Sequence, residues 1–198
     1  MDDRVGTDWL VRDATGDDAA ACARIYEPYV RDTVVSFELE PPTAAEVAGR
    51  IAAALARHAW LVLEDDGRVV GYAYGSTFNA RAAYDWTTSV SVYTEPGRRR
   101  TGAGRALYTA LLDRLAARGY RTALAGIALP NDASVGLHTA MGFELVGTYR
   151  RVGWKLGRWN DVARYQRPLG EPTDDAPPER PGGTVDTAVG EGDTRTSN

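Results

Sequence analysis

The stretch RRRTGAGRALY at 98–108 constrains the chain more than any other. Before it runs DWTTSVSVYT (85–94), a strand pattern that Pro96 closes. After it, Leu107, Leu111, Leu112 and Leu115 recur at helical spacing until Gly119 stops the run. A strand that passes through a two-glycine turn into an amphipathic helix commits the chain to a layered α/β fold. Gly102 and Gly104 let the main chain approach a ligand closely. The free N–H groups and dipole of a helix N-terminus favour an anion there. Arg98, Arg99, Arg100 and Arg105 add forked donors that suit phosphate. The stretch therefore reads as a pyrophosphate cradle, although a basic turn with two glycines would show the same G-x-G. No Gly-Lys-Ser/Thr follows, which excludes an ATP-type loop. The loop also follows a fourth strand, and Leu107 stands where a dinucleotide fold needs its third glycine.

The flanking pattern supplies the other elements. WLVRDA (9–14) predicts a first strand. Thr15 with Asp18, and Thr43 with Glu46, give capping-box starts for helices over about 17–30 and up to Arg57. WLVLED (60–65), Asp66-Gly67 and RVVGYAYGSTF (68–78) form a hairpin. RTALAGIAL (121–129) is a fifth strand, Asn131–Met141 a short helix, and two strands fall near 143–154 and 159–168. The expected order is β-α-α-β-β-β-α-β-α-β-β.

The 28 residues from 171 carry seven acids and two bases, so the overall charge of −4 leaves +1 for the rest. A nearly neutral body does not suit a general nucleic-acid binder. The Pro-, Gly- and acid-rich end cannot bury enough surface to offset its ordering entropy, so 170–198 is expected to be disordered and 1–8 flexible. No apolar run reaches the ~20 residues of a membrane span, and the N-terminus lacks the pattern of a secretory signal. A single Cys22 fits a reducing compartment and precludes an internal disulfide. One cysteine and two histidines speak against a structural zinc site. His58, at a helix end, is expected to act as a C-terminal dipole partner. Asn131 after Pro130 reads as a helix N-cap. Tyr108, Trp86, Trp154 and Trp159 read most simply as core or interface packing.

The strand, R-R-T-G-A-G and amphipathic helix resemble the acyl-CoA signature of the GNAT acetyltransferases. The stretches ARAAYDWTTSVSVY, RTGAGRALYTALLDRL, LPNDASVGLHTAMGF and W-x-D-V-x-x-Y-Q (159–166) extend the likeness. Over about residues 10–168 the chain is similar to the phosphinothricin N-acetyltransferase family. The resemblance implies a GNAT domain over 9–169: a mixed, mostly antiparallel central sheet flanked by helices, with the fourth and fifth strands splayed. It implies acetyl-CoA as cosubstrate, no metal, and a cytoplasmic homodimer that acts on a small amine.

By the same likeness, Val92, Tyr93 and Thr94 meet pantetheine, and Arg99, Arg100, Thr101, Gly102, Ala103, Gly104 and Arg105 wrap the pyrophosphate. Asn131 and Ser134 also contact the cofactor. His138 is the implied base, imidazole titrating in the useful range, and a fourth-strand N–H near Val92 would face the oxyanion. No covalent intermediate is implied, so Cys22 has no catalytic part. Phe37, Asn79, Arg81 and Tyr84 are the implied acceptor contacts, Arg81 being suited to clamp a carboxylate. Three positions depart from the family pattern: Ser89 replaces a glutamate, Asn79 a lysine and Glu38 an arginine. Ser89 is kept as a catalytic position through a relay water. The local charge falls by 2, so the expected acceptor is less anionic than phosphinothricin: a neutral or basic amino acid, its ester or amide, or an amine-bearing antibiotic. The loss of the glutamate also leaves open a CoA-binding sensor with weakened catalysis, and a protein amine remains an alternative acceptor.

Overall fold

A computed structural model describes residues 9–98, 101–170 and 179–181. The expectations for 1–8, for Arg99 and Arg100, and for most of the C-terminal segment lie outside the described residues. Seven strands form one sheet in the order β1-β2-β3-β4-β5-β7-β6. They are β1 (Trp9–Asp13), β2 (Trp60–Asp65), β3 (Arg68–Thr77), β4 (Thr87–Thr94), β5 (Thr122–Ala128), β6 (Glu144–Lys155) and β7 (Arg158–Pro168). The helices are α1 (Ala19–Asp32), α2 (Ala44–Arg57), α3 (Ala103–Ala117) and α4 (Asp132–Ala140). Every neighbouring pair is antiparallel except β4 and β5, which run parallel with α3 as the crossover.

The sheet is covered on both faces, and the strands show it. β2 is apolar at four successive positions. Leu61 and Leu63 join the core under α3, whereas Trp60 and Val62 join the core under α1 and α2. On α3 the stripe of Leu107, Leu111 and Leu115 is wholly buried, each side chain stabilising the fold by roughly 1.5–3 kcal/mol. The other face holds Cys22, Ile25, Val30, Val47 and Ile51 with a stacked set of Trp60, Tyr72 and Tyr74.

Element starts follow their caps, with one difference. At α2 the Thr43 N–H donates to Glu46 Oε2 at 2.7 Å and the Glu46 N–H to Thr43 Oγ1 at 3.2 Å. The Thr15 signal instead opens a short 3-10 turn, Gly16–Asp18, before α1. Asp18 is drawn to Arg12, which donates twice at 2.8 Å, and that pull keeps the first turn tight. The fourth strand begins at Thr87 rather than 85, because the chain first makes a tight turn over Ala82–Tyr84.

β6 and β7 extend as a long hairpin that leaves several large apolar side chains exposed: Leu145, Val146, Tyr149, Val152, Trp154, Leu156 and Trp159. Trp154 and Trp159 pack edge to face on each other there, outside the core. Glu179–Pro181 lie back against the domain. The Trp86 Nε1–H donates to the Glu179 carbonyl at 3.1 Å, and Arg180 reaches Asp85 at 3.8 Å. Among the described residues no helix is long and apolar enough to cross a membrane, and no group of His, Cys, Asp or Glu could hold a metal ion.

His58 differs from its expected part. It caps α2, but its ring turns inward, with Nδ1 3.2 Å from Thr88 Oγ1, Nε2 3.3 Å from Thr77 Oγ1, and a stack on Tyr120. Burial, with Arg57 and Arg118 nearby, pushes its pKa down to about 4. The ring is neutral at pH 7 and is no partner for the helix dipole. This sets a pH dependence. Between pH 6.5 and 4 the unfolded chain takes up a proton that folded His58 refuses, so stability falls as pH drops through that window. The gap is worth on the order of 3 kcal/mol. His58→Gln is expected to flatten the fall of the urea midpoint between pH 6.5 and 4; an unchanged slope would assign the effect elsewhere.

Candidate active site

The parallel ladder between β4 and β5 lasts three residues: Thr87 with Thr122, Thr88 with Ala123, and Ser89 with Leu124. Beyond Ser89 the strands part, β4 staying paired to β3 as far as Thr94 and β5 to β7 as far as Ala128. The gap is a cleft open to solvent. Its walls are Val90–Tyr93 of β4 and Ala125–Ala128 of β5, closed by Tyr108 of α3 and by Asn131, Ser134 and His138 of α4. Val35, from the segment between α1 and α2, completes the lining. A narrow cleft between two strand backbones suits a thin, polar, extended chain that can bond main-chain groups on both sides.

The glycine loop stands next to this cleft. Gly102 caps α3 with φ +94°, a left-handed conformation that glycine adopts without strain. At Gly104 a Cβ would come 3.1 Å from Leu137 Cδ2, so the missing side chain lets the start of α3 sit against α4. The Thr101 hydroxyl donates to the Arg98 carbonyl at 3.0 Å, and Ala103 is buried at the first helical position. Arg105 is exposed. Arg98 is committed elsewhere, to Asp65 at 2.5 Å and Glu95 at 3.6 Å, so it does not belong to the cradle.

At the inner end of the cleft the polar groups form a chain. His138 is 4% exposed. Its Nδ1 lies 2.7 Å from the Ser134 carbonyl, which can only accept, so Nδ1 carries the proton. Nε2 is then an acceptor, and the Tyr108 hydroxyl donates to it at 2.9 Å. Burial lowers the imidazole pKa below its ordinary value and raises that of the Tyr108 phenol. The resting pair is thus neutral phenol and neutral imidazole. Phe143 and Tyr165 close the apolar side of the histidine ring. Asn131 is the N-cap of α4, its Oδ1 accepting the Ser134 N–H at 3.2 Å, and it faces the cleft as well.

The remaining sequence-derived residues fall in three places. Val92 and Tyr93 line the cleft, whereas Thr94 does not; its carbonyl accepts the Tyr29 hydroxyl at 2.7 Å. Ser89 marks the last rung of the ladder and is outside the lining. Val90 belongs to the core under α3 and Tyr93 packs against the opposite core, so by alternation Ser89 faces α1 and α2 while His138 sits on the α3 side. Phe37 lies with Val35 on the α1–α2 segment, its ring against Gly153 of β6. Asn79, Arg81 and Tyr84 make a loop of their own. The Asn79 side chain accepts the Arg81 N–H at 3.0 Å, and Tyr84 packs edge to face on Phe78. No hydrogen bond links this loop to the cleft among the described residues.

One sequence reading needs correction, and another is incomplete. Glu38 does not offer a free carboxylate: Arg50 holds both its oxygens at 2.7 and 2.9 Å, and the Tyr26 hydroxyl donates at 3.0 Å. The charge difference inferred at that position is therefore offset within the fold. Tyr108 is core packing as read, and its hydroxyl also meets His138. Its place at i+4 from Gly104 on α3 was visible, but nothing in one sequence told its hydroxyl from a buried ring. Ser91, Gly126 and Val35 also line the cleft, and the sequence singled out none of them.

Residues 11–163 match the acetyltransferase (GNAT) domain family. A phosphinothricin N-acetyltransferase of Streptomyces viridochromogenes is 42% identical over 168 residues, 85% of this chain and 90% of that protein. An L-methionine sulfoximine/L-methionine sulfone acetyltransferase of Pseudomonas paraeruginosa is 34% identical over 84% of this chain and 98% of its own length. The crystal structure of a GNAT superfamily phosphinothricin acetyltransferase from Sinorhizobium meliloti in complex with AcCoA superposes with a TM-score of 0.83 at 39% identity, covering 90% of this chain and 97% of that one. The splayed sheet, the glycine-capped helix and these likenesses agree: the chain belongs to the GNAT acetyltransferase family, in the branch of the phosphinothricin N-acetyltransferases, and is an N-acetyltransferase with acetyl-CoA as its acetyl donor.

Proposed function

We propose that this enzyme acetylates the α-amine of a small amino-acid-like acceptor of the methionine sulfoximine or phosphinothricin type, as a cytoplasmic homodimer. The observation that carries the reading is the Ser134–His138–Tyr108 chain at the inner end of the β4–β5 cleft. It is joined by the relatives' own acceptors, which are amino acids of this kind. The backbone of Val92 and Tyr93 holds the pantetheine arm, and the start of α3, Thr101–Arg105, holds the pyrophosphate with Arg99 and Arg100. Asn131 and Ser134 border the same arm. The single free Cys22 fits a reducing compartment. The exposed apolar side chains of the β6–β7 hairpin fit a dimer contact, and a partner there would bring a second set of loops toward the acceptor.

The residues divide the work as follows. An α-amine arrives largely protonated at neutral pH and cannot attack until it loses that proton. Ser89 cannot be a base at this pH and at most holds a water. His138 is the base, and it works through Tyr108, because its Nδ1 is committed to Ser134 and its Nε2 to the phenol. The Tyr108 oxygen takes the proton of the amine, directly or through one water, while its own proton passes to Nε2. Imidazolium forms, and the Ser134 carbonyl stabilises it. The amine nitrogen bonds the acetyl carbon, a β4 N–H near Val92 faces the developing oxyanion, and the carbon–sulfur bond breaks. The same hydroxyl then returns the proton from Nε2 to the departing sulfur, and the second proton of the attacking nitrogen leaves to water, so each ammonium acetylated releases one proton to solvent. Arg81 pairs with the carboxylate of the acceptor, and Phe37 and Tyr84 cover its side chain.

Tyr108→Phe keeps the ring that fills the core and removes only the hydroxyl. It and His138→Ala are each expected to lower kcat/KM by about 10²-fold, with the double variant no worse than the single ones. Acetyl-CoA affinity, measured by calorimetry, stays within about twofold. Full activity in Tyr108→Phe would refute the relay. The acid limb of the wild-type pH–rate profile is expected below the ordinary histidine range, following the direction of the His138 shift, and to vanish in His138→Ala.

Asn79 leaves the acceptor without the lysine of the family pattern, so a second anionic group on the acceptor has lost its partner. Thiol release with methionine sulfoximine is accordingly expected to exceed that with phosphinothricin in kcat/KM. Arg81→Ala is expected to raise the acceptor KM at least about tenfold. A clear preference for phosphinothricin would sink the charge argument.

A further inference from the structure

Lys155 is a buried ammonium that the chemistry above does not use. It ends β6 and is 6% exposed. Its Nζ donates to the carbonyl of Val30 at 2.5 Å and to that of Ser36 at 2.7 Å. The carboxylate that acts on it is Glu38, and Glu38 is already held by Arg50. An uncharged side chain of the same length, such as methionine, would fill this place without desolvating a cation. Packing alone therefore does not account for an amine here.

The two carbonyls it bridges do. Val30 lies in the last turn of α1, where carbonyls lack helical partners and a cation is favoured. Ser36 lies in the segment between α1 and α2, which has no regular structure of its own. Bridging them closes residues 30–36 into a fixed loop. The same hairpin end grips the next residue: a Cβ on Gly153 would fall 2.1 Å from Phe37 Cε2, so the ring rests where only glycine leaves room. Asn160 stiffens that end, its Nδ2 pointing at the carbonyls of Gly153, Lys155 and Arg158 at 3.5, 3.3 and 3.0 Å. On the opposite side Tyr26 and Ser36 hydroxyls meet at 2.6 Å. Between these holds stand Val35, in the cleft wall, and Phe37.

We propose that Lys155 is a positioning residue for the acceptor: from the β6–β7 hairpin its ammonium fixes the Val35–Phe37 segment against the cleft. The inference rests on the reading that this segment faces the acceptor. Its consequence is a separation of kinetic effects, because the acetyl-CoA contacts on β4, α3 and α4 do not pass through Lys155.

Lys155→Met, Lys155→Arg and Gly153→Ala test it in the full-length enzyme. Lys155→Met is expected to raise the acceptor KM about tenfold or more, with kcat and the acetyl-CoA KM within about threefold. Lys155→Arg, which keeps a cation able to reach two carbonyls, recovers most of the loss. Gly153→Ala displaces Phe37 without touching the charge and gives the same split, so it serves if Lys155→Met is too unstable to assay. Amide hydrogen exchange reads the segment without any acceptor: Lys155→Met is expected to speed exchange at residues 33–40 and to leave β4 and α3 unchanged. Unaltered exchange there, or equal rises in both KM values, overturns the proposal. Failure of the wild type to turn over any amino-acid acceptor overturns the acceptor reading instead, and the exchange result still decides on Lys155.

Discussion

The geometry of this molecule turns on the point where β4 leaves β5. Parallel strands ladder for three residues and then separate, one held by β3 and the other by β7. A gap in the middle of a sheet exposes main-chain groups that water or a ligand must satisfy. It persists because each strand is anchored on its far side and because helices bridge the two. α3 packs beneath β2, β3 and β4 through its leucine stripe, and its first turn meets α4 at Gly104 and Leu137. The glycine loop follows the end of β4 and starts α3, the crossover to β5, so the proposed anion-binding helix end and the narrow cleft arise from the same topological break. The general rule that α/β ligands bind where neighbouring strand connections diverge has a local form here.

Much of this was legible in the chain. The helical stripe on α3, the β2–β3 hairpin with its Asp66-Gly67 turn, and the Thr43–Glu46 box all state their structure through local chemistry. The Arg-Gly loop reads as an anion site from its arginines and helix start, although G-x-G alone would also suit a basic turn. What was hidden depends on long-range encounter. Tyr108 and His138 are 30 residues apart, and only packing of α4 on α3 puts phenol against imidazole. Glu38 and Arg50 are 12 apart, and their pairing cancels a charge that a position-by-position comparison counts as free. Val35 and Lys155 stand in regions without a motif, and neither periodicity nor composition distinguishes them.

The hairpin β6–β7 joins two features that would otherwise look unrelated. It exposes large apolar side chains, far more than a free edge of a small domain needs. Its end holds Lys155, Asn160 and Gly153 in a tight polar cluster that reaches across to the α1–α2 segment. A contact that steadies these side chains would steady the polar cluster through a stiff two-stranded arm. Assembly and acceptor binding would then share one element, and the acceptor side of the cleft would depend on the hairpin in a way the acetyl-CoA side does not.

The two histidines show why residue type alone does not name a catalytic group. Both are 4% exposed, and both are pushed by burial toward the neutral ring. Each has a hydroxyl on one nitrogen or both. The difference lies in where the hydroxyl leads. Around His58 the threonines belong to adjacent strands, and Tyr120 seals the ring face, so the hydrogen bonds close on the core. Around His138 the phenol belongs to Tyr108, a residue of the cleft wall, so the proposed proton path along O–H to Nε2 would open on the cleft. Desolvation keeps both rings basic-form at pH 7, but only a ring with an outlet can use that state. The cleft made by the parting strands supplies the outlet, which returns the chemistry to the same break in the sheet.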